Sequence, residues 1–173
     1  MEHLKYPIGK FEYGKSYTVA DNQKHISIIE QFPATLKELV PQLSSAQLEK
    51  CYRPDGWTAR QVIHHIADSH MNAYIRVKLT LTEDTPPIKP YDESLWANLE
   101  DGKNAPVEIS VQLIDALHKR WVYLLKKLSI DELQKKYFHP EYKREFKLEE
   151  LLALYAWHGK HHYEHLKIIL TNK

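Results

Sequence analysis

The stretch that most constrains this chain runs from Leu148 to Ile169. It reads as one long amphipathic helix whose apolar stripe passes through Leu148, Leu151, Leu152 and Tyr155 and resumes at Leu166 and Ile169. His158 and His162 interrupt that stripe. Residues four apart share a helix face, so both imidazoles are directed at whatever the leucines bury. Burying them without partners is costly. Far upstream, the segment from Thr58 repeats the pattern: a helix with apolar Val62, Ile66, Ala73 and Val77 on one side carries His65 beside that face. Two inward histidines from one helix and one from another make a three-nitrogen site with a position left for water, the ligand count of a catalytic zinc-type centre. His161 and His165 repeat the four-residue spacing, but the stripe favours the first pair as ligands.

Composition closes off other classes. The 173 residues, 43% of them hydrophobic, suffice for a full core in one domain. With a formal net charge of +1 and interspersed charges there is no basic stripe, so nucleic acid is not an expected partner. The beginning, Met1-Glu2-His3-Leu4-Lys5-Tyr6-Pro7, lacks an apolar signal-peptide core, and no run approaches membrane-spanning length, so a cytoplasmic protein without membrane contact is expected. The single cysteine, Cys51, excludes an intramolecular disulfide and is expected to be a small buried hydrophobe.

Taken in order, residues 1–17 carry Pro7, Gly9 and Gly14 and show no helical period, which predicts an extended N-terminal arm. An ordered arm needs a surface, and its tyrosines make it a candidate for reaching a partner subunit. A helix from Thr18 to Val40 contains Pro33, which should kink or divide it. Ser44-x-x-Gln47, Thr58-x-x-Gln61 and Ser129-x-x-Glu132 are capping boxes opening a short helix, the His65 helix to about Thr82, and a second short helix. Between them lie a long irregular segment from Glu83 to Pro106, either functional or a plain crossover, and a helix from about Glu108 to Leu128. His118 on that helix is expected to be a hydrogen-bonded core residue. Tyr137 to Phe146 alternates around Pro140 as a small β-ribbon. The order long helix, short helix, histidine helix occurs twice, which in a four-helix bundle lets both histidine helices face one end of the core.

These residues carry a resemblance. The segment Asp55 to Asn72 with its paired His64-His65, the stretches Thr82 to Pro86 and Pro90 to Glu93, the run Tyr155-Ala156-Trp157-His158-Gly159-Lys160-His161-His162 and the arm Tyr6-Pro7-Ile8-Gly9 are similar to the YfiT-type metal-dependent hydrolases of the DinB superfamily. The similarity spans nearly the whole chain. It implies an all-α, DinB-like four-helix bundle of residues 1–173 and a cytoplasmic homodimer acting on a small-molecule substrate. It also implies one divalent metal per chain, zinc or nickel, held by His65, His158 and His162. Relatives include thiol transferases that attach low-molecular-weight thiols such as bacillithiol to electrophiles, so thiol transfer stands beside hydrolysis. A non-catalytic dimeric scaffold with a structural metal is the third reading. His64 and His70 are turned about 100° and 140° from His65, placing them beside the site or at the surface. Asp68, one turn beyond His65, is a candidate base on water or acceptor from a ligand imidazole, or else an ordinary surface residue. The absence of His-Glu-x-x-His and of Gly-x-Ser-x-Gly disfavours a zincin-type protease and a serine hydrolase.

Overall fold

Capping decides where the helices begin. In the computed structural model, which describes residues 2–171, Ser44, Thr58 and Ser129 each accept from the backbone three residues on, while the Gln or Glu at that position reaches back. A fourth box, Thr18 with Asp21, opens the first long helix; the shorter aspartate makes the same reciprocal contact at 2.9 Å. Met1, which begins the expected arm, and Asn172 and Lys173 lie outside the described residues.

The elements are α1 (Glu2–Lys5), α2 (Val19–Leu39), α3 (Ser45–Leu48), α4 (Ala59–Thr82), α5 (Glu93–Ala97), α6 (Glu100–Asn104), α7 (Val107–Leu125), α8 (Ile130–Leu133), the antiparallel ribbon β1 (Lys136–His139) and β2 (Arg144–Lys147), and α9 (Leu148–Thr171). The long helices α2, α4, α7 and α9 form a four-helix bundle in which α2 and α4 each pack against both α7 and α9. Consecutive helices of each half, α2 with α4 and α7 with α9, therefore sit diagonally. The connections 40–58 and 126–147, with their short helices, span that diagonal where a tight turn would force antiparallel neighbours. This makes the two histidine helices direct neighbours, running antiparallel: His65 meets His158, and Ser69, one turn later, meets Tyr155.

Two apolar clusters fill the bundle. One gathers Ile29, Val77, Trp121, Leu148 and Leu152, the other Leu36, Val62, Ile66, Ile114 and Leu166. A layer of histidines lies between them. Gly159 in α9 permits close approach there, since a Cβ at this position would meet the Phe32 ring at 3.0 Å, and Phe32 stacks on His70. No helix among the described residues is long and apolar enough to cross a membrane.

Several expectations need correction. Of the two effects expected of Pro33, division does not occur: α2 runs unbroken from Val19 to Leu39, held by packing on α7 and α9 across the missing hydrogen bond. The arm is not wholly extended, since residues 2–5 make one helical turn. It lies on its own bundle, with the Gly14 amide donating to Glu150 Oε1 at 3.0 Å, Tyr13 edge-on to Phe146 and Phe11 against Trp157. The segment 83–106 folds two short helices, the first capped by Asp92, whose Oδ1 accepts from the Leu95 amide at 2.8 Å. Cys51 is exposed, because it bridges to Thr58 at the surface turn before α4.

Candidate metal centre

The bundle brings His65, His158 and His162 together: one ring nitrogen from each lies within 4.8 Å of the others. His65 Nε2 and His158 Nε2 stand 3.3 Å apart. Two imidazole nitrogens on one tetrahedral ion at about 2.0–2.1 Å are separated by about 3.3–3.4 Å, so the spacing suits shared coordination. The ring planes are inclined by 55–72° to one another, so the rings radiate about a common point and do not stack. His65 and His162 are buried, whereas His158 is partly open to the adjoining cavity.

Two hydrogen-bond chains set the tautomers of this cluster, each ending on a backbone carbonyl. His118 Nδ1 lies 2.7 Å from the Ile29 carbonyl oxygen, which can only accept, so this nitrogen carries the proton. His118 Nε2 then accepts from His70 Nδ1 at 2.7 Å, and His70 Nε2 accepts from His158 Nδ1 at 3.1 Å. His158 Nε2 is left with a lone pair aimed at the cluster. Pro33 explains the anchor. The helix partner of the Ile29 carbonyl would be the amide of residue 33, and proline has none to give. In the second chain His165 Nε2 donates to the Lys5 carbonyl at 3.3 Å, and its Nδ1 accepts from His162 Nδ1 at 3.3 Å, which leaves His162 Nε2 unprotonated. Such outer partners fix ring orientation and raise ligand basicity.

Of the two places expected for His70, beside the site or at the surface, the structure shows the first. It is fully buried and holds the His158 ring, and His118 is the hydrogen-bonded core residue expected of it. His64 is buried too, bonded to Ser110 Oγ at 2.7 Å and to the Ala105 carbonyl at 3.1 Å. His161, His162 and His165 also bring ring nitrogens within 4.8 Å of one another, but the contact between His162 and His165 belongs to the chain ending on Lys5. His161 stacks on Trp157 at 4.4 Å. Asp68 makes no side-chain hydrogen bond to the three imidazoles among the described residues, because the helix turns it about 60° from His65. Burial, aided by Asp101, raises its carboxyl to about 6. The hydroxyl that does reach the centre is Ser69 Oγ, 3.5 Å from His158 Nε2 and 3.3 Å from Tyr155 Oη.

Burial lowers the pKa of every ring in the layer. His65 falls to about 3 through burial first and the neighbouring His161 and His165 second, His118 falls to about 4, and His70, His158 and His162 lie well below the usual range. The layer is therefore neutral, with its lone pairs available, near pH 7. The folded value of His118 lies below that of the unfolded chain, so its contribution to stability is complete above about pH 6.5 and is lost as pH falls toward about 4. That loss is on the order of 3 kcal/mol. Thermal melts of metal-free protein from pH 7 to 4 should show it, with a shallower fall in His118→Gln.

A cavity of about 430 Å³ opens from the cluster toward solvent. The arm supplies Tyr6 and Tyr13, the ribbon Tyr137 and Phe146, and the segment 83–106 Pro90, Tyr91 and Glu93, so that segment does wall the site. Asp92 and Trp96 are not part of the wall: Asp92 caps α5, and Trp96 packs on Tyr91 at 4.4 Å. Arg76 also lines the cavity and was not singled out from sequence, although it lies three turns beyond His65 on nearly the same helix face.

Comparison with known proteins agrees with this architecture. An Oceanobacillus iheyensis protein provisionally named a metal-dependent hydrolase is 49% identical over 98% of this chain and 97% of its own length. YfiT of Bacillus subtilis, named likewise, is 45% identical over 95% and 92%, and a Bacillus cereus protein of the same description is 49% identical over 96% and 95%. The solved structure of Bacillus subtilis YfiT, described as a probable metal-dependent hydrolase with an unusual four-helix bundle topology, superposes with a TM-score of 0.94 at 44% identity, covering 96% of this chain and 95% of that one. Residues 28–166 match the family model of the DinB superfamily, and the chain belongs to that superfamily.

Proposed function

We propose that this protein is a metal-dependent hydrolase whose single divalent ion, zinc or nickel, is held by His65, His158 and His162. The observation that carries the reading is the convergence of imidazole lone pairs at the floor of an open cavity. Imidazole suits both metals, and such an ion when bound acts as a Lewis acid that makes water nucleophilic near neutral pH. The chain's own residues do the rest. His70 and His165 hold the ligand rings, Ser69 Oγ and Tyr155 Oη offer hydrogen bonds beside the centre, and Tyr6, Trp57 and Trp157 supply aromatic wall for a substrate. No carboxylate joins the histidine clusters among the described residues. That favours a second reading, transfer of a thiol, because a thiolate nucleophile needs no general base.

Protein purified without a nickel column should be assayed against ester, amide and phosphoester substrates and against thiol–electrophile pairs. Activity should vanish on chelation and return with zinc or nickel; activity indifferent to chelation would overturn the proposal. Chelation should lower the melting temperature without unfolding the protein at room temperature, since two apolar clusters flank the histidine layer and stand without an ion. Cooperative unfolding on chelation would instead indicate a structural metal.

A further inference from the structure

The outer end of the cavity holds charges with no partner. Arg76 lines it half-buried, and its guanidinium makes no ion pair or hydrogen bond with any described residue. Glu93 and Glu141, both solvent-exposed, line the rim of the same cavity, likewise without an ion pair among the described residues. The three are close enough to sense one another: the Arg76 charge opposes the rise that desolvation imposes on Glu93, and adds to the fall that burial imposes on His139. They are nevertheless too far apart to pair, which leaves space between opposite charges. A half-buried guanidinium with no protein partner keeps its donors available to a ligand. Its planar fork matches a carboxylate, and the two acids disfavour an anion with no positive charge of its own.

The position along α4 adds a dimension. Arg76 follows His65 by 11 residues, about three helical turns, and points within about 20° of the same direction. One molecule can therefore lie along the cavity with its reacting part at the histidines and its head at Arg76. We propose that this end is a subsite for a zwitterionic head group of the α-amino acid type, its carboxylate on Arg76 and its ammonium on Glu93 and Glu141. The inference rests on the reading of the histidine end as the reaction centre and names the class of substrate it takes.

Four six-carbon probes separate the charges: L-norleucine carries both, hexanoate and hexylamine one each, and hexan-1-ol neither. Calorimetric titration of the metal-loaded protein should show norleucine binding at least tenfold more tightly than any of the other three. Arg76→Met should remove its advantage over hexylamine, and the double variant Glu93→Gln, Glu141→Gln its advantage over hexanoate. Equal binding of all four, binding of none, or an Arg76→Met protein that keeps the tenfold preference would overturn the proposal. Metal content is measured on the same samples. Full metal with no charge selectivity sinks the subsite and leaves the centre standing, whereas unmodified protein that retains no metal sinks the centre.

Discussion

Replacing His158 and His162 together with alanine is expected to leave the protein unable to retain a divalent ion, and His65→Ala alone should weaken retention severely. The three nitrogens come from two helices and meet within 4.8 Å, so removing two leaves a single imidazole with no chelate. Each variant should still fold, because Leu152, Val62 and Leu166 pack in clusters on either side of the layer that do not include these rings. His161→Ala, which changes a ring stacked on Trp157 outside both hydrogen-bond chains, should keep most of the metal. The readout is stoichiometry by elemental analysis after dialysis. A double variant that keeps one equivalent of metal contradicts the assignment.

The second large effect should come from residues that touch no metal. His118→Leu removes the link between the Ile29 carbonyl and His70, leaving a buried His70 Nδ1 without its acceptor. His70 is then free to place its proton on either nitrogen, and His158 loses the acceptor that directs Nε2 at the ion. Loss of such an outer partner lowers metal affinity by about 10–100-fold, and the stranded donor costs about 1–3 kcal/mol of stability. His165→Ala should act similarly through His162, in contrast to the sparing that its place off the apolar stripe suggests. His118→Gln, which can still offer an amide to the carbonyl, should recover part of the affinity. Equal metal affinity for wild type, His118→Leu and His165→Ala would show that the chains do not position the ligands.

How far the chain could be read in advance follows from which of these features are local. The capping boxes at Ser44, Thr58 and Ser129 and the stripe Leu148, Leu151, Leu152 and Tyr155 depend on residues within a turn or two, and they placed the helices and the inward pair His158 and His162. The diagonal placement of α2 against α4 depends on how the connections cross the bundle end, and no local pattern states it. The turn of the helix away from His65 leaves His70 either beside the site or at the surface, and only the packing decides between the two. His70 is buried because α7 and α2 close over it with His118 and Phe32. One signal was present and unused: Pro33 lies four residues after Ile29 and so frees that carbonyl for a side-chain donor. Cys51 was misplaced because burial preference by residue type ignores its position at a surface turn.

X-ray absorption of the zinc-loaded protein reads the ion's shell itself, and so whether three imidazoles hold it with a position left for substrate. The expected spectrum shows three imidazole nitrogens at about 2.0–2.1 Å with one or two oxygens from solvent, and replacement of an oxygen by sulfur at about 2.3 Å when a small thiol is added. A shell of four protein ligands that does not change with added thiol would contradict it.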